Sequence, residues 1–258
     1  MACYCFDGSM TGLLSCVFRA FEFKELNARI TANPQAQNGL FDEFIYVSSN
    51  DEHGQRVWQG LKQKVSSSSL RAFYYTFLSE QEAAFQILFD FAVYVFKNQR
   101  PVDKDYGHHA VIGMSQWAKQ VGREKHRMEA FVRFKKAKDG LFLSLVKPDF
   151  NVLPIISRHF QERYQDQSWL IYDELRNYGI YYDLEQVHQV EMNAEAIDSQ
   201  IQIGHSQSFS IELDDEWLYD QLWKDYFNSV NIQTRNNMKL HIQYVPKRYW
   251  RYMNEKTL

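Results

Sequence analysis

Cysteine is scarce and lopsided: the 258-residue chain has three, Cys3, Cys5 and Cys16, and none after position 16. An odd number crowded at one end excludes a disulfide-held scaffold. The Cys-x-Cys pair lacks the paired spacing of a zinc site and the triple spacing of a radical-SAM cluster, so buried strand and helix thiols suit these positions better. HExxH, Walker A, GxGxxG and GxSxG are all absent, which leaves metalloprotease, P-loop, dinucleotide and hydrolase-elbow chemistry without support. No uncharged apolar run nears the length of a membrane span, and residues 1–10 hold no Lys or Arg and include Asp7. Neither a spanning segment nor a targeting signal is expected, and a cytoplasmic location follows as the default. Internal repeats and low-complexity tracts are missing too.

Basic residues are absent over one long stretch: from Asn177 to Trp223 there are ten acids and no Lys or Arg. The flanks are the reverse. Lys119 to Lys147 holds nine Lys or Arg against three acids, and from Lys224 onward there are seven against two. The net charge of −3 excludes a basic DNA-coating factor, yet local basic surface still suits phosphate. The acidic stretch is a solvated flank, or a patch that keeps nucleic acid in register by repulsion. Aromatics are abundant, with 16 Tyr, 19 Phe and 6 Trp. They fill cores and also serve as stacking platforms.

Periodicity predicts an α+β chain: a mostly helical region over 1–124, then an α+β region over 125–258, the two sharing one core. ACYCF reads as a strand, DGS as a turn, and Met10 to Lys24 as a helix capped by Asp7 or Ser9, with Leu13, Leu14, Val17, Phe18 and Phe21 inward. After a loop from Arg29 to Gly39, FIYVS (44–48) is a strand. Asp51 to Val65 is a helix packing through Val57, Trp58, Leu61 and Val65. Further helices cover Leu70 to Leu78, Glu80 to Phe96 (inward Ala83, Ala84, Ile87, Leu88, Phe91, Val95) and His108 to Glu124. MEAFVRF (128–134) alternates like a strand, with Arg133 opposite Val132 and Phe134. The turn KAKDG would pair it with LFLSLV (141–146) as a hairpin. Leu153 to Tyr164 is a helix with Pro154 in its first turn. Strands follow at 169–172, 179–184 and 186–191, then a helix at 216–227 and a mixed tail at 240–252. The sheet is expected to be mainly antiparallel with packed helices.

Three blocks carry candidate chemistry. In EKHRMEAFVRF, His126 can move protons near neutral pH, and Arg127 and Arg133 can clamp a phosphate; a capped helix end and a surface ion pair explain the same residues. In the block 148–173, His159 and Arg163 lie four apart on one helix face. Asp149 and Asp173 are placed to orient them, so His126, His159 and Asp173 form the candidate acid–base set. In the tail, Arg235, Lys239, Lys247, Arg248 and Arg251 interleave with Tyr244, Tyr249, Trp250 and Tyr252. That pattern suits unstacked bases beside phosphates, and equally an amphipathic segment docked on a core. The candidate nucleic-acid-binding set is Arg127, Arg133, Arg163, Arg235, Lys239, Arg248, Tyr249 and Trp250. His108-His109 has no ligand partner at a zinc-like interval.

The segment DGSxxGLLSCVFRAF resembles the opening of a bacterial domain-of-unknown-function family of probable DNA metabolism and repair proteins. The likeness continues through EKHRMEAFVRF, PDFNVLPIISRHFQERYQDQSWLIYDELRNYG, LWKDYFNSVNIQTRNN and PKRYWRYMNE, in order from Asp7 to Glu255. It implies a role in DNA metabolism beside a radical-SAM partner. Some relatives also carry a uracil-DNA-glycosylase-like domain. This chain stops just after RYW, so no glycosylase activity of that kind is expected of it, and radical chemistry would belong to the partner. The family offers no established catalytic residues; the matching positions are Asp7, Ser9, His126, Arg127, Arg133, His159, Arg163, Asp173, Arg235, Asn236, Arg248 and Trp250. Three expectations follow. The first is a DNA-binding accessory of a radical-SAM enzyme, on single-stranded or damaged DNA and without a cofactor of its own. The second is an enzyme on a damaged or modified base or nucleotide using His, Arg and Asp. The third is a structural partner that does not touch nucleic acid.

Overall fold

The computed structural model describes residues 2–33, 43–137, 140–191, 201–203, 207–209 and 245–253. The expected helix at 216–227 and the tail from 240 to 244 lie outside them. The architecture is α+β, and the chain divides into two compact units, Met1–Arg123 and Glu124–Leu258.

The first unit is built around β1 (Ala2–Cys5), which lies between β2 (Arg29–Thr31) and β3 (Glu43–Tyr46), parallel to both. This small parallel sheet corrects the expectation of a loop from residue 29. β2 has only three residues, too few to show a period, and its pairing partner is 26 positions away in register (Cys3 with Arg29). Five helices follow in the chain: α1 (Met10–Glu22), α2 (Asp51–Lys64), α3 (Ser67–Phe77), α4 (Glu82–Lys97) and α5 (His109–Phe131), the last running on into the second unit. The start of α1 is set by its neighbours: Gly8 takes φ +81°, and the Ser9 hydroxyl accepts from the Gly12 amide at 2.9 Å. Asn50 caps α2 in the same way, and its acids Asp51 and Glu52 lie in the first turn with Lys62 and Lys64 in the last, complementing the helix dipole. Helix α4 is apolar on nearly every side and sits in the core through Phe85, Leu88, Phe89, Phe91 and Ala92. Of the residues expected inward, Ala83 and Phe21 are exposed instead. The three cysteines are buried and free.

Asp103 ties the start of α3 to the chain before α5. Its Oδ2 accepts from the Ser66 amide (3.0 Å), the Ser66 hydroxyl (2.7 Å) and the Ser69 hydroxyl (2.9 Å). Burial alone would raise this carboxyl, but these bonds hold it below the ordinary aspartate value. A depressed folded pKa adds stability above the unfolded value near pH 4, and that stability is lost as pH falls through the folded one. Asp103→Ala is therefore expected to cost about 1–3 kcal/mol at pH 7. Urea midpoints at pH 7 and pH 3 check this: the gap to wild type should narrow at pH 3, and an unchanged gap would refute the argument.

The second unit holds a five-stranded sheet in the order β4 (Lys135–Lys136), β5 (Phe142–Val146), β6 (Trp169–Asp173), β7 (Tyr178–Tyr182), β8 (Val187–Glu191). All neighbours are antiparallel except β5 and β6, which are parallel and joined through α6 (Leu153–Arg163). An antiparallel pair, β9 (Ile201–Ile203) with β10 (Gln207–Phe209), adds to the expected elements. β6 is buried along its whole length. Leu170 and Tyr172 face one core with Leu143, Tyr181 and Val190. Trp169 meets Phe160 of α6 (6.1 Å between centroids), Phe134 (6.2 Å) and Tyr182 (5.6 Å). Gly179 on β7 is required by crowding, since a Cβ there would lie 2.8 Å from the Ile171 carbonyl oxygen.

The strand expected at 128–134 does not form. Residues 128–131 are the last turn of α5, and the hairpin partner of β5 is the two-residue β4. Met128 and Val132 are both buried, four apart, which is helical spacing. A short apolar run fits either period, and no Gly or Pro interrupts the helix after Gly122.

Candidate functional site

The described part of the tail is a 3₁₀ helix, Lys247–Tyr252. Pro246 stands just before it, where the ring fixes φ at −57° and the missing N–H is not needed. The tail meets two other pieces of the second unit: the end of α5, with Glu124 and Arg127 one turn apart, and the loop Lys147–Asp149 after β5. At their junction Glu124 is 1% exposed. It accepts from the Asp149 amide at 2.9 Å, from the Tyr249 hydroxyl, and from Arg127 Nη1 at 3.3 Å, while Arg248 Nη2 stands 3.8 Å away. Arg248 Nη2 also pairs with the Asp149 carboxylate and donates to the Tyr249 hydroxyl at 2.8 Å. Burial pushes the Tyr249 phenol up, and Glu124 adds to it. Burial works against the Arg248 cation, but Tyr249, Asp149 and Glu124 outweigh it and hold the guanidinium charged.

Beside this network lies a cleft of about 420 Å³, lined by Lys147, Pro148, Asp149, Leu175, Arg248, Arg251 and Tyr252. Three cations thus share it with one carboxylate and an apolar and aromatic wall. Arg251 pairs with Glu174 and its guanidinium lies 4.5 Å from the Tyr252 ring centre. The Tyr252 hydroxyl donates to Glu174 at 2.6 Å, and burial followed by Glu174 pushes that phenol up to about 12. Lys147 is exposed and has no partner among the described residues.

The cleft floor is held from below. Asp173 is fully buried, and its Oδ1 accepts from the Leu175 amide (2.8 Å) and the Arg176 amide (3.3 Å) in the β6–β7 turn. Its Oδ2 accepts from Arg176 Nη1 at 2.8 Å. The same guanidinium donates to the carbonyl oxygens of Pro148 (3.2 Å) and Asp149 (3.3 Å). Asp173 therefore shapes the loop that lines the cleft, and its acceptor sites are occupied.

The candidate acid–base set is not assembled as a trio. His126 and His159, from α5 and α6, both approach Glu129: Nδ1 of His126 is 4.0 Å from Oε2, and Nδ1 of His159 is 3.9 Å from Oε1. Lys125 pairs with the same carboxylate. Asp173 is engaged with Arg176 instead. The phosphate clamp changes too. Arg133 follows α5 rather than projecting from a strand, and its Nη1 donates to the Ala130 (2.7 Å) and Val132 (3.2 Å) carbonyls. Arg127 is drawn to Glu124. Arg163 lies over the Tyr164 ring at 5.8 Å. Tyr249, expected to stack on a base, is 1% exposed and packs against Phe131, so its ring is not presented to a ligand. Trp250 donates to the Val245 carbonyl at 3.0 Å, with Lys247 over its ring. Arg235, Asn236 and Lys239 lie outside the described residues.

Sequence reasoning missed Lys147, Glu124 and Glu174. Glu124 carries one faint signal, its position one helical turn before Arg127. In the first unit, Asp7 and Ser9 act as turn locks. Asp7 accepts from the Ser9 amide (2.9 Å), the Ser9 hydroxyl and the Ser49 hydroxyl (each 2.6 Å), joining the loops before α1 and α2. His108 stacks on Tyr94 and His109 reaches Asp90 at 3.1 Å. Among the described residues no three His, Cys, Asp or Glu side chains group to hold a metal, and no helix is long and apolar enough to cross a membrane.

A family model described as a domain of unknown function (DUF4130) matches residues 82–255, more than half of the chain. No curated protein and no solved structure matches the chain.

Proposed function

The chain belongs to the DUF4130 family of domains of unknown function, and we propose that its C-terminal unit binds phosphorylated nucleic acid as an accessory in cytoplasmic DNA metabolism. The observation that carries this reading is the cleft in which Lys147, Arg248 and Arg251 surround an apolar and aromatic wall. Guanidinium groups donate paired N–H bonds to phosphate oxygens, and aromatic rings give an unstacked base a surface. Asp149, Glu124 and Glu174 hold the two arginines in place, which lowers the ordering cost of binding. The same acids limit the net positive charge, so the site favours a short single-stranded or damaged stretch over a long duplex track. The resemblance to DNA metabolism proteins supports placing this binding beside a radical-SAM enzyme.

The test is binding of the purified chain to labelled single- and double-stranded DNA, with and without uracil or a mismatch, across a salt series. Single-stranded DNA is expected to bind with a negative log–log salt slope, about −0.7 for each phosphate that the cations of the cleft meet. Replacing Arg248 and Arg251 together by Ala should flatten that slope. Absence of binding at low salt would overturn the proposal.

One observation favours a second reading, an enzyme acting on a damaged or modified base or nucleotide. Two histidines from different helices flank the Glu129 carboxylate, and Asp149 places another carboxylate in the cleft. Turnover of a modified nucleotide that Asp149→Asn or His159→Gln abolishes, with binding retained, would establish it.

A further inference from the structure

We infer that the cleft recognises a single nucleotide carrying a phosphate monoester, at a strand end or free, rather than the continuous phosphodiester backbone; this rests on the nucleic-acid reading above. The first argument is how the cations are arranged. Arg248 and Arg251 are three apart on a 3₁₀ helix. Side chains so spaced eclipse one another, so both leave the helix on one side. Lys147 joins them from the end of β5. Three cations around one small space suit a compact group of about −1.5 to −2 charge, as a phosphate monoester carries at neutral pH. A groove that follows a strand would instead spread its cations along the backbone.

The second argument is the donor inventory. Arg248 directs Nη2 to Asp149 and Tyr249, and Arg251 directs Nη2 to Glu174 and Tyr252. The Nε and Nη1 donors of both have no hydrogen-bond partner among the described residues. Each guanidinium is thus anchored at one nitrogen and keeps further donors for an anion. The third argument is size. At about 420 Å³ the cleft is at the small end of ligand sites, which run from about 300 to 1,000 Å³. That admits one nucleotide and not several. Leu175 and Pro148 supply an apolar surface for its base or sugar.

Fluorescence anisotropy of the full chain tests this with labelled single strands that differ only at the end: 5′-phosphate, 3′-phosphate or hydroxyl. Unlabelled thymidine monophosphate, thymidine and inorganic phosphate serve as competitors. A phosphorylated end should bind at least about tenfold tighter than a hydroxyl end, the worth of one added charge-assisted contact. Lys147→Ala, which removes an exposed side chain without a partner among the described residues, should weaken binding of the phosphorylated end more than that of the hydroxyl end and so shrink the preference; an equal loss at both ends would overturn the assignment of Lys147 to the terminal phosphate. Competition by the monophosphate but not by thymidine locates the recognition in the phosphate. If the monophosphate binds alone while neither end of the strand is preferred, the same chemistry belongs to a free nucleotide. Equal, salt-sensitive binding of all three strands with no monophosphate competition overturns this inference and leaves the broader reading standing. No binding of any strand or of the monophosphate overturns both.

Discussion

Glu124→Ala is expected to destabilise the second unit by about 3–5 kcal/mol, the cost of removing one member of a buried charged network. The loss has identifiable parts. The Asp149 amide and the Tyr249 hydroxyl would each lose an acceptor, and an unsatisfied buried donor costs about 1–3 kcal/mol. Arg127 and Arg248 are partly exposed, with side chains 29% and 44% accessible; water takes over much of their solvation, so they add little. Glu124→Gln keeps an acceptor for two of these donors and should cost about 1–2 kcal/mol. Thermal unfolding separates the cases: about 10 °C lost for Ala and a few degrees for Gln. A wild-type midpoint for Glu124→Ala would show that the network contributes nothing to the fold. Because Glu124 also stands near the anchored end of Arg248, Glu124→Gln should weaken DNA binding more than its small stability loss implies.

The helices were legible because their cores repeat at the helical period. α4 shows Leu88, Phe91, Ala92 and Val95 in that register, and Ser9 and Pro154 mark the starts of α1 and α6. Strands β6, β7 and β8 were expected at 169–172, 179–184 and 186–191 and form close to those bounds; the end of β7 was misjudged, because Asp183, expected inside the strand, accepts from the Glu185 amide in the turn that follows it. Two elements were not legible. β2 is a strand only because β1 lies beside it, which no three-residue window reveals. MEAFVRF alternates well enough to mimic a strand, and what decides its helix is continuity with the turns before it.

The candidate site was legible in its ingredients and not in its assembly. Arg248, Arg251 and Tyr252 were visible as an interleaved basic and aromatic tail. Lys147 precedes them by 100 positions or more, and Leu175 by more than 70; no spacing rule joins them. Sequence also offered two uses for the tail, base and phosphate binding or docking on a core, and docking describes Tyr249. Tyr249 is the docked core residue, while Arg248, Arg251 and Tyr252 line the cleft. Arg248 and Arg251, three apart on the 3₁₀ helix, share one side about 120° from that of Tyr249; Tyr252, the last residue of that helix, reaches the cleft although it is three positions after Tyr249.

Asp173→Ala is expected to cost about 3–5 kcal/mol as well, through a different chain of effects. It leaves Arg176 without its carboxylate, strips the acceptor from the Leu175 and Arg176 amides, and frees a turn that already holds Asn177 at φ +55°. Arg176 is also what fixes the Pro148 and Asp149 carbonyls. Asp173→Ala should therefore weaken binding in the cleft although Asp173 does not line it, whereas Lys147→Ala should change binding alone. Acidity distinguishes Asp173 from Asp103. Burial pushes the Asp173 carboxyl up by more than Arg176 pulls it down. A raised folded pKa means that its contribution is present below the unfolded value near pH 4 and is lost as pH rises through the folded one. Asp173→Asn cannot titrate, keeps the turn acceptor and should cost about 1–2 kcal/mol. Denaturation across pH 3.5 to 7 gives the decisive comparison. Wild type should gain on Asp173→Asn as the solution is acidified, while it loses its advantage over Asp103→Ala; the same trend in both variants would refute the opposite assignments of the two carboxylates.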